Sequence, residues 1–295
     1  MSVANVIPDL SDIDNRPLAL VCSEVWGGNR PIHRPIALPG ICGVIYSRPC
    51  DGGRGGDVHY LSVCSSGLLS RMCVADVVGH GEAVAAVSRE MHGLLRRFMN
   101  QPDQRRVLSD LNLRLQRMGL GAMTTAAAFS YYPTSRRLSF SYAGHPPAWL
   151  FCGTHRHWMR LNGPELAQPA LGPVDMPLGV DPRTRYSTSK IEVRPGDRLL
   201  VVTDGVLEVP DSDGQLFGEA RLEQWLHESD SASCAALADG LRSYLTAHAG
   251  QPTLDHDDIT FFVIEFTDPP RGPAAWHAVK NRIRRHARPL TRVPA

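Results

Sequence analysis

Strand-like and helix-like runs in this 295-residue chain come in adjacent pairs; they do not alternate singly. Consecutive strands joined by short turns pair antiparallel, whereas alternation of strand and helix dictates a parallel sheet. Residues 40–46 predict a strand, and residues 57–64 and 68–76 predict two more around the turn Ser65-Ser66-Gly67. Ala83, Val87, Met91, Leu94 and Phe98 then recur at helical steps. A second helix opens near Pro102, buries Leu108, Leu111, Leu115 and Met118, and stops at Gly119 and Gly121. Strands return at 123–132 and 138–143 around Pro133-Thr134-Ser135-Arg136, and at 148–152 and 158–161. Residues 189–193 and 198–203 read as a hairpin about Arg194-Pro195-Gly196-Asp197. Helices at 218–228 and 231–248 precede a last strand at 259–266, and 18–25 reads as an early strand. The pattern is α+β, with antiparallel sheets and helices packed outside them.

The aspartates fall at the ends of these strands. Asp57 opens one arm of the first hairpin and Asp76 closes the other, so a turn centred on Ser66 and Gly67 sets them opposite each other at one sheet edge. Asp204 ends the apolar run Leu199-Leu200-Val201-Val202-Thr203, and Asp257 and Asp258 precede the final strand. One such aspartate beside a glycine is better read as a turn former. Four positions in matching places outweigh that reading and converge on one rim. Converging carboxylates repel unless a cation neutralises them. Oxygen donors without histidine or thiolate suit Mg²⁺ or Mn²⁺. Two such ions about 3.5–4 Å apart can bridge a water, lower its pKa and direct it at phosphorus. Gly55-Gly56, and Gly79 and Gly81 around His80, allow close backbone approach to metal or phosphate.

The remaining totals narrow the function class. A net charge of +1 supplies no global field for nucleic acid. Seven cysteines without a CxxC pair disfavour a disulfide framework or a thiolate zinc site. The first residues lack the apolar core of a secretory signal, and no run of about 18 apolar residues could span a bilayer. The expected location is the cytoplasm, with no membrane partner. Three segments are expected: a 1–39 extension packed on the domain, a 40–268 domain, and a basic 269–295 tail carrying Arg271, Lys280, Arg282, Arg284, Arg285, Arg288 and Arg292. A terminal arginine run is ordinarily solvated. The chain offers no helix-turn-helix, zinc finger or RNA-binding signature, so nucleic acid is not expected as a partner.

Six segments together resemble the metal-dependent protein phosphatases related to protein phosphatase 2C, in their bacterial SpoIIE/RsbU-like branch. They are Gly55-Gly56-Asp57, the run from Val74 to Gly81, Ala143-Gly144-His145-Pro146-Pro147, Pro177-Leu178-Gly179-Val180, the run from Pro195 to Gly205, and Asp257-Asp258-Ile259-Thr260. The resemblance implies two packed antiparallel sheets flanked by helices, with two Mn²⁺ or Mg²⁺ ions at one end. It implies one-step hydrolysis of phosphoserine or phosphothreonine in signalling. Asp76 would bridge the ions, the Val77 backbone carbonyl would be a further ligand, and Asp57, Asp204 and Asp257 would complete the set, with Asp258 the alternate to Asp257. His80 is the candidate general acid and Arg54 the candidate phosphate contact, while His145 is assigned a structural place. The sequence departs from the family pattern at Val58-His59-Tyr60, where the usual segment is aromatic and acidic. The implied substrate is a phosphorylated protein such as an anti-sigma-factor antagonist. A regulator docking on the helices at 81–119 is expected from their adjacency to Asp76. The competing reading is a non-catalytic, phosphatase-like binding module in a partner-switching pathway.

Overall fold

The structure is a computed structural model that describes residues 17–20, 24–50, 53–78, 82–98, 100–118, 123–163, 173–229 and 233–268. Strands β1 (Leu18–Ala19), β2 (Glu24–Gly28), β3 (Ile32–Leu38), β4 (Ile41–Arg48), β5 (Asp57–Val63) and β6 (Ser70–Val77) lead into helices α1 (Glu82–Arg97) and α2 (Gln104–Met118). Strands β7 (Thr124–Tyr132), β8 (Arg137–Ala143), β9 (Trp149–Cys152), β10 (His157–Arg160), β11 (Ser189–Glu192) and β12 (Arg198–Val202) follow. The short helix α3 (Asp204–Leu207), helices α4 (Gly218–Glu228) and α5 (Cys234–Ala249), and strand β13 (Ile259–Phe266) complete the described chain. One sheet runs β1-β3-β4-β13-β12-β9-β10, the other β11-β8-β7-β6-β5-β2. Neighbouring strands pair antiparallel except β1 with β3.

Side-chain alternation along the strands builds four layers. Leu61, Met72, Phe129 and Phe140 of one sheet meet Ile45, Val201, Phe262 and Ile264 of the other between them. The opposite face of the six-stranded sheet, through Val58, Tyr60 and Ala75, buries Val87, Met91, Leu94, Leu108 and Leu111 of α1 and α2. The opposite face of the seven-stranded sheet, through Leu200, Phe261 and Val263, packs on Leu222, Leu237 and Leu241 of α4 and α5. With both faces covered, β5 and most of β6 are buried throughout, which is why neither shows polar alternation.

The first hairpin has the expected register, with Asp57 opposite Asp76 and Val63 opposite Ser70. The expected hairpin of residues 189–193 with 198–203 does not form. β11 joins β8, while β12 lies in the other sheet between β13 and β9. The segment between them is a corner, not a hairpin turn. The Asp197 carboxylate accepts from Arg194 N at 2.7 Å and from Gly153 N at 2.9 Å, and Gly196 takes φ +91°. The turn chemistry was correctly placed, but turn chemistry does not say which sheet the second strand enters. Strand β3 was missed because Pro35 interrupts it. Pro35 faces Val44 of β4, whereas the two-residue β1 pairs only with Ile36 and Ala37, so its missing N–H costs no ladder bond there. Helix α2 starts after Pro102, with Asp103 accepting from Arg105 N at 3.1 Å in the role of cap.

Arg71, the second residue of β6 and 2% exposed, ties the helix pair to this hairpin. It donates to Ser130 Oγ (3.2 Å) and to the carbonyls of Phe98 (3.1 Å) and Gln101 (2.6 Å) at the α1–α2 junction. Ser65, in the β5–β6 turn, donates through N and Oγ to Asn100 Oδ1 at 3.0 Å. Among the described residues no helix is long and apolar enough to cross a membrane. Arg71→Met keeps the bulk but removes the Arg71 donor from the part-buried Gln101 carbonyl, while the Phe98 carbonyl keeps Gln101 N at 2.9 Å. It is expected to lower unfolding stability by about 2–4 kcal/mol in urea titrations, with no change in which residues pair across the hairpin.

Candidate functional site

The rim lies where β5 begins, β6 and β12 end and β13 begins. Asp57, 3% exposed, stands opposite Asp76 in the ladder. From the facing sheet, Thr203 Oγ1 donates to Asp57 Oδ2 at 2.8 Å. Thr203 is itself fixed by Thr260, whose N donates to Thr203 Oγ1 at 3.0 Å and whose carbonyl accepts from Thr203 N at 2.9 Å. Asp204 opens α3, with Oδ1 accepting from Gly205 N at 3.0 Å. Gly205 is required here, because a Cβ would run into the Asp258 carbonyl.

The two adjacent aspartates before β13 have different surroundings. Asp258, 8% exposed, accepts from Cys50 N (2.8 Å), from Asp57 N (3.3 Å) and from Gly56 N. Its carboxylate is occupied in fastening the 50–57 loop to the start of β13. Asp257 is half-buried, and among the described residues its Oδ1 accepts the neighbouring Asp258 N alone, at 2.7 Å. A Cβ on Gly56 would lie 2.9 Å from the Val77 carbonyl oxygen and 3.3 Å from Asp76 Oδ1, so those oxygens close on a backbone without a side chain.

The carboxylates act on one another. Burial, then the charge of Asp76, pushes the Asp57 carboxyl well above its usual range, against the pull of the Thr203 and Thr260 hydroxyls. Asp76 is pushed up to about 7 by burial and then by the charges of Asp204, Asp257, Asp258 and Glu208. Asp257 and Glu208 are also raised, by burial and by Asp204. Mutual repulsion of this kind is what a bound cation removes, and the all-oxygen donors suit a hard ion. The arrangement is a loose rim and not a closed cage. Among the described residues, no three His, Cys, Asp or Glu side chains stand close enough together to hold a metal ion by themselves.

The other sequence candidates separate. Arg54 is exposed on the loop before Gly55 and lines a cleft with Trp26, Arg30, His59 and Arg89. His80, with Gly79 and Gly81, lies outside the described residues, as does the basic 269–295 tail. His145 is buried, which lowers its pKa to about 4 and keeps it neutral. Sequence reasoning gave no role to Thr203 or Thr260, although both sit inside motifs it had singled out. It passed over Glu208 and Asn29, which carry no motif. Asn29 Nδ2 donates to the Gly55 carbonyl at 2.9 Å and Gly55 N returns a bond to the Asn29 carbonyl at 3.1 Å, bracing the same loop.

A family model described as Stage II sporulation protein E (SpoIIE) matches residues 69–267. The chain is 26% identical over 128 residues to Protein IcfG of Synechocystis sp. (strain ATCC 27184 / PCC 6803 / Kazusa), covering 43% of this chain and 18% of that protein. The match thus spans less than a fifth of that relative's own length. Among solved structures, the RsbU and RsbW domains of a Mycobacterium tuberculosis protein superpose with TM-score 0.63 at 22% identity, over 87% of this chain and 70% of that one. The PP2C phosphatase domain of Bacillus subtilis SpoIIE, with a fragment of its regulatory domain, gives 0.61 at 15%, over 84% and 71%. RsbX in complex with magnesium gives 0.57 at 17%, over 80% and 100%. At these identities the superpositions establish the fold.

A carboxyl whose folded pKa exceeds its unfolded one binds its proton more tightly when folded. Its ionisation therefore costs stability as pH rises from the usual carboxylate range near 3.8 to about 7. Chelator-treated protein is expected to lose thermal stability across that window. Asp76→Asn should flatten this fall and raise the melting temperature of the metal-free protein near pH 8. A variant no more stable than the parent at pH 8 would contradict the repulsion.

Proposed function

Because the chain belongs to the SpoIIE family, we propose that it is a metal-dependent phosphatase that hydrolyses phosphoserine or phosphothreonine on a regulatory protein in the cytoplasm. The observation that carries this reading is the ladder pairing of Asp57 with Asp76 at the sheet end facing Asp204 and Asp257. Two Mn²⁺ or Mg²⁺ ions at this rim would supply charge neutralisation and Lewis acidity toward a phosphoryl group. Asp57, Asp76, Asp204, Asp257 and the Val77 carbonyl are the residues to hold them. Asp258 is better read as the fastener of the loop, since its oxygens already accept three backbone amides. Thr203 orients Asp57 across the gap between the two sheets, and Thr260, on the neighbouring strand of its own sheet, holds Thr203 in place. His80 stays the candidate proton donor to the leaving oxygen.

Residues 40–268 are the catalytic domain in this reading. β1 to β3, from the 1–39 segment, complete both of its sheets. A phosphorylated anti-sigma-factor antagonist is the substrate type that fits, and the helix pair α1–α2 is the surface on which a regulator would act on Asp76.

Hydrolysis of p-nitrophenyl phosphate and of a phosphoprotein is expected to require Mn²⁺ or Mg²⁺. Asp76→Asn is expected to lower turnover at least about a hundredfold in a protein that still folds. A folded chain inert with either ion would return the reading to a binding module. Asp257→Asn should weaken metal affinity, read by calorimetry, with little change in metal-free melting. Asp258→Asn should lower the melting temperature first, by loosening the 50–57 loop.

A further inference from the structure

A cleft of about 480 Å³ opens beside the edge strand β2, lined by Trp26 to Ile32, Arg54, His59, Ser88 and Arg89. Three of its side chains are cationic, and Arg30, Arg54 and Arg89 are each exposed. None of the three makes an ion pair with a described carboxylate, whereas Arg48, Arg105, Arg114, Arg160, Arg183 and Arg198 each do. The wall also holds His59, which is 2% exposed and whose Nδ1 has no hydrogen-bond partner. A buried ring nitrogen left unpaired in a cleft wall is a polar atom that a ligand can satisfy. Gly28 leaves open space where a Cβ would stand, so the cleft reaches backbone. Its wall is joined to the rim, because Asn29 and Gly55 exchange two hydrogen bonds one residue before Gly56-Asp57.

Resting on the phosphatase reading above, we infer that this cleft is a specificity subsite for oxyanion side chains. It receives acidic residues that flank the phosphorylated residue of a protein substrate. Three unpaired guanidinium groups from three separate elements, the β2–β3 turn, the 53–56 loop and α1, converge on one concavity. Guanidinium forks match carboxylate geometry and are weakly hydrated, so they take a carboxylate at lower desolvation cost than an ammonium would. The shared chemistry is an oxyanion, and free inorganic phosphate is the other source that could supply it. The substrate side chain is favoured because the cleft, at about 480 Å³ and with Trp26 in its wall, is larger than one phosphate needs.

The test uses the full chain and the variant Arg30→Ala/Arg89→Ala, both exposed positions outside the metal rim. Labelled phosphopeptides with Asp and Glu flanks are compared with Gln and Ala flanks, by fluorescence anisotropy for binding and by phosphate release for kcat/KM. The acidic peptide is expected to bind and turn over about fivefold better in the parent. That preference should vanish in the variant and shrink with added salt, while p-nitrophenyl phosphate turns over at the parental rate. A parent that treats the two peptides alike, or a variant that keeps the preference, overturns the inference even if both hydrolyse p-nitrophenyl phosphate. If the peptides bind alike but inorganic phosphate inhibits the parent more than the variant, the cleft is a free-phosphate site and the substrate assignment is wrong. A chain that hydrolyses nothing yet loses acidic-peptide binding in the variant keeps the subsite and loses the phosphatase reading.

Discussion

The Asp258 carboxylate, buried beneath the amides of Cys50, Gly56 and Asp57, is the interaction on which the rim depends. It joins positions about two hundred residues apart and links the start of a central strand in one sheet to the entry of a hairpin in the other. Those three bonds seat the entry of β5 against the start of β13. That lets Asp57 sit almost wholly buried opposite Asp76 with only a threonine hydroxyl between it and the facing sheet. The glycines follow from the same constraint. Gly55 and Gly56 lie where a Cβ would collide with the oxygens of Asp258, Val77 or Asp76, and Gly205 where one would strike the Asp258 carbonyl.

Much of this was legible in the residues. The midpoint symmetry of Asp57 and Asp76 about a Ser-Ser-Gly turn is a local property, so the hairpin register could be read directly. Helices α1 and α2 were legible because one apolar face repeats at 3.6 residues, and tertiary packing buries that face as far as Leu115, leaving Met118 exposed at the end of α2. What failed was non-local. The segment between β11 and β12 has the chemistry of a hairpin turn and is used as a corner between sheets, a choice made by strands far away in sequence. Strand β3 was hidden by a proline that is tolerated only because its neighbour β1 is two residues long.

At the site, the acidic positions were readable because they are carried by short motifs, and their grouping is supported by the charges that raise one another's pKa. Their division of labour was not readable. Asp257 and Asp258 are chemically identical neighbours, and only the fold shows that one faces three backbone amides while the other faces Asp204. The arginine cleft was equally invisible, since Arg30, Arg54 and Arg89 share no motif and meet only when α1 packs over β2.

Arg71 anchors the helix pair. Two of its three hydrogen bonds tie the α1–α2 junction to the start of β6, at the end of α1 remote from the rim, and the third goes to Ser130 of β7. At its other end α1 is attached to β6 by the short connection after Val77. A 16-residue helix is about 24 Å long. The opposite end of α1 is seated as well, with Val84 1% exposed in the core it shares with Val58, Ala75 and Val77. Asp76 and Val77 are themselves rungs of β6, paired with Thr125 and Thr124 of β7, so a load on α1 reaches the mouth of the site only through the sheet that carries it.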